Sequence, residues 1–383
     1  MKILYDHQIF SIQKYGGISR YFTQIISNFP QHIQTEIAIK YSNNEYLKEF
    51  NSDILDFPFE KFLPGISFRG KHRLFNYIEK IRNNPPPEIV NKNLSIELLK
   101  KQDFDIFHPT YYDDYFLEYI GNKPFVLTIH DMIHELFPEM IKEQGILIKK
   151  ARLAEKAAHI IAVSEKTKQD IINIYNINAD KISVIYHASS INKKINKAEE
   201  KLPQNYLLYV GARSHYKNFM FFALSIKKLL IKRKNLKIVC TGTSFSDEEI
   251  NFLKEIGIED YFTHLFIKDD EFFQVYKNAQ ALIFPSYYEG FGIPILEAFD
   301  SDCPVILSNS SCFEEIAGDA AIYFEPKNKT QLIESIEEIM DNPEIRAGLI
   351  LKGKARLQKF SWSLAAKKTT EVYSNILSNI SIE

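Results

Sequence analysis

Cysteine is nearly absent from this 383-residue chain: Cys240, Cys303 and Cys312 cannot all pair, and none stands in a CxxC spacing. That argues against a disulfide framework and a cysteine zinc site, and fits a reducing compartment. No charge of one sign dominates. With 47 Lys and Arg against 49 Asp and Glu, the net charge is −2, and no global field favours nucleic acid. No run approaches the roughly 18 apolar residues that a spanning helix needs. The opening MKILYDHQIF sets Asp6 and His7 where a signal peptide would keep its apolar stretch. A cytoplasmic protein is therefore expected. Peripheral contact with the inner face of the cell membrane stays open through a basic cluster, Lys149, Lys150, Arg152 and Lys156. The alternative for that cluster is a solvated helix face. GxGxxG is also missing after the strands that precede Asp6–Gly17 and Gly211–Lys217, which disfavours a dinucleotide oxidoreductase. No repeat of fixed period is visible.

What is present is the composition of a globular protein, 45% hydrophobic and 25% charged. The length favours two domains over one large one. Short apolar runs alternate with amphipathic ones, which predicts an α/β fold with parallel sheets covered on both faces. In the first half the spacing predicts strands at 2–5, 36–39, 106–108, 125–129, 159–163 and 181–185. Helices are predicted at 18–29, 144–158 and 165–175, the last capped by Ser164. Residues 83–87 (NNPPP) read as a surface loop. Residues 192–204 are polar, charged and closed by Pro203, as a linker is. Beyond them strands are predicted at 206–210, 236–240, 264–267, 281–284 and 305–307, with helices at 218–232, 246–256, 269–278 and from 294. Two doubly wound sheets would face one another, and ligands in such sheets bind beyond the carboxyl ends of the strands.

Two segments carry chemistry. In FPSYYEGFGIPILEAF (284–299), Gly290 and Gly292 flank Phe291 ahead of Pro294 at a helix start. Backbone N–H groups there would suit an anion. Glu289 and Glu297 would repel phosphate and so should face hydroxyls, Glu297 reaching a ribose diol. A tight loop with a helix-capping acid is the plain alternative. In YLLYVGARSHYKNF (206–219), Arg213 and Lys217 follow a strand's end and would suit a diphosphate, or simply be solvated charges.

FPSYYEGFGIPILEAF resembles the E-x7-E element of the retaining family 4 glycosyltransferases, and GARSHYKN resembles that family's Gly-x-Arg…Lys-Asn element. LTIHDM, AVSEKTKQDI and YGGISRYF resemble its His-Asp segment, Ser-capped helix and glycine loop, in the family's order. The resemblance implies a GT-B fold: two Rossmann-like domains facing across a cleft, residues 1–194 on the acceptor side and 195–362 binding nucleotide-sugar. The helix in 363–383 would cross back to the first domain. It implies that Arg213 and Lys217 bind the donor diphosphate, Glu297 the ribose, and Glu289 the transferred sugar, aided by backbone N–H groups around Gly290, Phe291 and Gly292. Gly16 and Gly17 would close over the phosphates, and His130 would lie near sugar and acceptor. Transfer would retain anomeric configuration by a front-face route, with a nucleotide-diphospho-sugar as co-substrate and no metal or other cofactor. The acceptor would be a glycan or lipid-linked glycan of a bacterial surface polysaccharide. GDP-mannose is the first donor expectation, because YDHQIFSIQKYGGISRYF is similar to the opening of mannosyltransferase-type members. A nucleotide-sugar epimerase or a non-catalytic binding protein are the rivals.

The sequence departs from the family at His187-Ala188 in VIYHASS and at Phe266 in HLFIKDD, and the second leaves the nucleotide base open. Two DxD patterns, Asp103–Asp105 and Asp300–Asp302, are expected not to be metal sites. His7, His108 and His134 lack ligand spacing. His7 and His108 could touch acceptor, and Tyr111 and Tyr112 could stack on it or simply pack. Trp362 is expected to open the last helix, with Leu364, Ala365, Val372, Tyr373 and Ile376 on one face.

Overall fold

The apolar runs pair in parallel with both faces covered in the computed structural model, which describes all residues except 51–52, 141–144, 192, 194–201, 214 and 381–383. The expected linker at 192–204 and the boundary at 194/195 lie largely outside the described residues. So do the first residue of the helix expected at 144–158 and the last three of the chain.

The first half contains β1 (Lys2–Tyr5), β2 (Gln34–Ile37), β3 (Ile106–His108), β4 (Val126–Ile129), β5 (His159–Ala162) and β6 (Ile182–Val184). They pair as β2-β1-β3 and β4-β5-β6, all parallel, joined by one bridge between Phe107 and Phe125. The second half contains β7 (Tyr206–Tyr209), β8 (Lys237–Cys240), β9 (Phe262–His264), β10 (Leu282–Phe284), β11 (Val305–Ser308) and β12 (Ala321–Phe324). These form one parallel sheet ordered β12-β11-β10-β7-β8-β9. The strands β4, β7, β10 and β11 are buried at every residue, the pattern of a sheet with helices on both sides. Both halves are thus doubly wound α/β units, as expected. In the second, strand order reverses where β7 lies beside β10.

The last helix, Trp362–Ile380, returns to the first half. Its buried residues Trp362, Ala365, Ala366, Thr369, Val372, Tyr373 and Ile376 recur at helical spacing. Leu364, expected on that face, is exposed. The Tyr373 hydroxyl lies 2.9 Å from that of Tyr5 and 2.6 Å from Nδ1 of His108, both in the first half. Trp362 Nε1 donates to Ser189 O at 3.1 Å and Ser190 Oγ at 2.8 Å.

Several elements differ from expectation. β9 lies at Phe262–His264 rather than 264–267, because its register follows buried Phe262 against Ile238. The helices Lys71–Ile81 and Pro87–Lys101 were not foreseen. The NNPPP run does break the chain, but its last proline starts a helix, where a missing N–H costs nothing. On the helix Gly145–Lys156, Arg152 and Lys156 are exposed as a solvated face would have them, but Lys150 is not. Lys150 is fully buried, donating to Asp131 O at 2.7 Å and Glu135 Oε2 at 2.9 Å. Lys149 and Arg152 pair with Asp113 and Asp114.

Candidate functional site

The two sequence segments that promised chemistry meet at the strand-order reversal. The loop after β7 and the loop after β10 run side by side, joined by Tyr287 N donating to Tyr216 O at 2.7 Å. Neighbouring strands that send their chains to opposite faces leave a crevice at their carboxyl ends. Here it opens into a cleft of about 1110 Å³ between the halves. Gly16, Gly17 and His130 line it from the first half, and Lys217, Glu289 and Glu297 from the second.

Lys217 and Glu289 form an ion pair at 2.5 Å, both largely buried. Burial alone would lower the lysine pKa, but the Glu289 charge and hydrogen bond outweigh it and the net shift is upward. Ser286 Oγ donates to the same Glu289 oxygen at 2.8 Å, and Ser311 holds the Glu289 main chain on both sides. An ammonium has three donors. Only one is committed to Glu289, so the remainder can face a ligand anion in the cleft.

Glu297, one turn into the helix Ile293–Asp300, accepts from Tyr276 Oη at 2.8 Å and from Arg20 Nη1 at 2.9 Å. Arg20 stands on the helix Gly17–Ser27 of the first half, so this contact crosses the cleft. Its other terminal nitrogen reaches Asp269 at 2.6 Å and Tyr46 Oη at 2.8 Å. Burial would lower the Arg20 pKa, yet Glu297, Tyr46 and Asp269 together raise it. Arg20 was missed in the sequence, where the signal was a lone cation one turn into the apolar helix after Gly16-Gly17. Tyr276 carried no local signal.

The backbone at 290–292 is shaped by its neighbours. Gly292 has φ +88°, a left-handed conformation that L side chains rarely adopt, and caps the helix Ile293–Asp300. At Gly290 a Cβ would sit 1.7 Å from the His130 carbonyl oxygen, so any side chain would drive the two halves apart. The Gly290 carbonyl accepts from Ser164 Oγ at 2.7 Å and Thr167 Oγ1 at 3.2 Å. Ser164 also caps the helix Glu165–Tyr175, accepting from Thr167 N at 3.0 Å. The Glu315 carboxylate of the second half accepts from Glu165 N and Lys166 N, at 2.6 and 3.2 Å. An acid at a helix N-terminus is favourable in both charge and hydrogen bonding. Phe291 is buried edge-on against His187, with ring centroids 4.9 Å apart. Gly16 and Gly17 are less constrained: Gly16 is extended, a Cβ there would displace only the Gln13 side chain, and Gly17 meets Ile293 at an ordinary 3.6 Å.

His130 is buried in an aromatic nest, stacked 5.9 Å from His187 and edge-on to Tyr21 at 5.1 Å. Burial and then the neighbouring His187 push its pKa well below the usual value, so the ring is neutral at neutral pH. Its Nε2 has no hydrogen-bond partner among the described residues.

Arg213 is placed otherwise than the diphosphate role implies. Its guanidinium is bonded to Glu249 at 2.9 Å and to the carbonyls of Thr243 and Ser244 at 2.7 and 2.8 Å, and it does not line the cleft. Only Nη1 is without a partner. Phe266 is 71% exposed and lines the cleft.

The remaining candidates do not line the cleft; most are bonded within the protein, while His7 Nε2 and His134 Nδ1 have no hydrogen-bond partner among the described residues. His108 bridges Tyr373 and Thr128 at 2.6 and 2.9 Å. His7 bonds Ser11 at 3.0 Å. The Tyr111 and Tyr112 rings pack 4.7 Å apart, and Tyr112 is buried. Asp103 and Asp105 both bond to Lys2, Asp300 to Ser189 and Lys193, and Asp302 to Lys354. Among the described residues no three acidic, histidine or cysteine side chains gather as a metal site.

Known proteins share this organisation. A family model described as Glycosyltransferase Family 4 matches residues 15–191, and one described as Glycosyl transferases group 1 matches residues 190–356. An O-antigen chain mannosyltransferase of Salmonella typhimurium is 32% identical over 222 residues, 56% of this chain and 61% of that protein. O-antigen chain mannosyltransferase B of Escherichia coli is 27% identical over 264 residues, covering 65% and 69%. Among solved structures, sucrose-phosphate synthase from Thermosynechococcus elongatus is similar with a TM-score of 0.72 at 17% identity, covering 99% of both chains. Anabaena HepE in complex with UDP and glucose gives 0.72 at 15% identity, over 97% of this chain and 99% of that one.

Proposed function

The chain belongs to the family 4 glycosyltransferases with the GT-B fold, and from that premise we propose that it moves a hexose from a nucleotide-diphospho-sugar to a glycan or lipid-linked acceptor of a bacterial surface polysaccharide. One observation carries the proposal: Lys217, Glu289, Glu297 and the Gly292-capped helix converge on one side of a cleft whose other side presents His130. In this reading Lys217 and the helix N-terminus hold the diphosphate, where charge grows as the sugar leaves. Glu289 and the free Nε2 of His130 accept or donate hydrogen bonds at sugar hydroxyls. Glu297 takes the ribose. Transfer retains configuration by a front-face route in which the departing phosphate assists acceptor deprotonation. Arg213 joins the diphosphate only through Nη1, or after leaving Glu249. Positive charge from Lys217 and the helix supports transfer without metal, so excess EDTA should leave the rate unchanged.

Mannose is the sugar supported by the names of the two O-antigen relatives, and GDP-mannose is the donor we propose for it. UDP-glucose, bound by the Anabaena protein, is the comparison donor. A thermal-shift screen of GDP- and UDP-sugars, followed by transfer assays with the donor that binds, tests the assignment. Lys217→Ala should lower the transfer rate by about 10²–10³-fold, on the scale of losing one preorganised donor. An unchanged rate would refute the phosphate role. Conversion of donor without any acceptor would point to an epimerase instead.

A further inference from the structure

Eight of the twenty large hydrophobic side chains exposed among the described residues fall between Leu55 and Ile89, in less than a tenth of the chain. This stretch lies in the crossover from β2 to β3 and leaves the sheet at the carboxyl end of β2. Leu55 is hydrogen-bonded into residues 40–42, and Asn43 accepts from Phe57 N at 3.0 Å and donates to Glu60 at 3.2 Å. Beyond that anchor the segment has little core of its own. Phe75 is the one buried side chain of the helix Lys71–Ile81, packed on Phe59 and Phe62 with centroids 5.4 and 5.3 Å away.

The remaining apolar groups face solvent. Leu74, Tyr77 and Ile81 recur at three- and four-residue spacing along one stripe of that helix, with Tyr77 63% and Ile81 65% exposed. Leu63, Ile66 and Phe68 of the preceding loop are exposed as well. Basic residues accompany them. Residues 57–82 hold six Lys and Arg against two Glu, and no acid occurs between Lys61 and Ile78, although the whole chain is slightly acidic. An uncovered apolar stripe of this kind marks an interaction surface. A short helix with aromatic and aliphatic residues on one face and cations around it is suited to lie in the plane of an anionic bilayer, where apolar burial and lipid charge act together. In a two-fold contact a second copy of this chain would set the same basic patch against itself, and so lacks that complementarity.

We propose that residues 57–82 dock the protein on an anionic lipid surface. Of the basic cluster on the helix Gly145–Lys156, the earlier candidate for such contact, Lys149, Lys150 and Arg152 are paired with Asp113, Glu135 and Asp114. The docking segment reaches the cleft wall through residues 43–46: Asn43 bonds Phe57 and Glu60, Glu45 N donates to Lys14 O at 3.1 Å, and Lys14 and Tyr46 line the cleft. An acceptor carried on a lipid would therefore enter beside the membrane-bound segment, a consequence that rests on the transferase reading while the docking does not.

The test is co-sedimentation of the full chain with phosphatidylcholine vesicles, with and without phosphatidylglycerol. The protein should bind the anionic vesicles, bind pure phosphatidylcholine at least about tenfold more weakly, and detach as salt rises. The pairs Tyr77→Ser with Ile81→Ser and Arg69→Glu with Arg73→Glu should each weaken binding by about tenfold or more. Both should keep the wild-type thermal midpoint and the wild-type transfer rate to a water-soluble acceptor. Wild-type protein left in the supernatant with anionic vesicles would overturn the proposal, as would variants that bind undiminished. A dimer in analytical ultracentrifugation that Tyr77→Ser dissolves would overturn it in favour of a second copy. Vesicle binding needs neither donor nor acceptor, so its failure is distinguishable from failure of the transferase reading.

Discussion

Three histidines sit where a charge cannot be tolerated. Burial pushes His108 and His187 down to about 3, and burial followed by the His187 ring lowers His130 as well. Folded, they stay neutral; unfolded, each takes a proton near pH 6.5. The unfolded state thus binds more protons below that pH, and stability falls as pH drops from 6.5 toward the folded values. Each histidine contributes a slope of about 1.4 kcal/mol per pH unit well inside that window. Denaturant titrations between pH 6.5 and 5 should show these three histidines contributing up to about three protons of uptake on unfolding, with His7 and His159, also lowered by burial, adding to it. His187→Asn should remove about one of them. A slope unchanged by that substitution would mean that His187 is protonated in the fold. Of these three, the sequence singled out His130 for its site and His187 only as a departure. Their stacking joins residues 57 positions apart, which no local pattern reports.

At the scale of elements, the helix Glu165–Tyr175 does two tasks from one end. Ser164 closes its first turn and also fixes the Gly290 carbonyl, so the cap and the loop after β10 share a hydroxyl. Ser164→Ala should cost about 1–2 kcal/mol in urea denaturation, as lost caps do. It should also lower kcat, because Gly290 then rests on Thr167 alone. Ser164→Thr should restore both. The cap itself was legible, because a Ser before an amphipathic run needs only local pattern. So were most strands, which are continuous apolar stretches with both faces covered. The helix Lys71–Ile81 was not, although its apolar residues recur at helical spacing, since nearly all of them face no core. The elements between Leu307 and the last helix went unread. Lys217 and Glu289 were each legible as site residues, but their pairing over 72 positions was not, and that pairing changes what each can offer a ligand. Arg213 read as a free cation only because Glu249 lies 36 residues away, beyond β8.

For the whole molecule, the returning helix ties the last residues to the first strand. The Tyr373 hydroxyl joins Tyr5 and His108 in a buried network, with Thr128 on the far side of the imidazole. Tyr373→Phe leaves buried polar atoms unpaired and should cost about 1–3 kcal/mol by thermal or urea unfolding. Adding Tyr5→Phe should cost less than the two single effects summed, since both act on one network. The contact between Arg20 and Glu297 binds the halves differently. In the proposed reading, a ribose engaging Glu297 would compete with a side chain belonging to the opposite wall. Linkage is reciprocal: the factor by which Arg20 weakens the nucleotide equals the factor by which the nucleotide loosens the seam. Apparent affinity is then the intrinsic value scaled by the fraction of molecules whose carboxylate is free. Arg20→Ala should tighten nucleoside diphosphate binding severalfold in calorimetry, while weaker binding would mean that Arg20 serves the ligand directly. On this account the empty enzyme is the clasped form, and departure of the spent nucleotide is the event that refastens it.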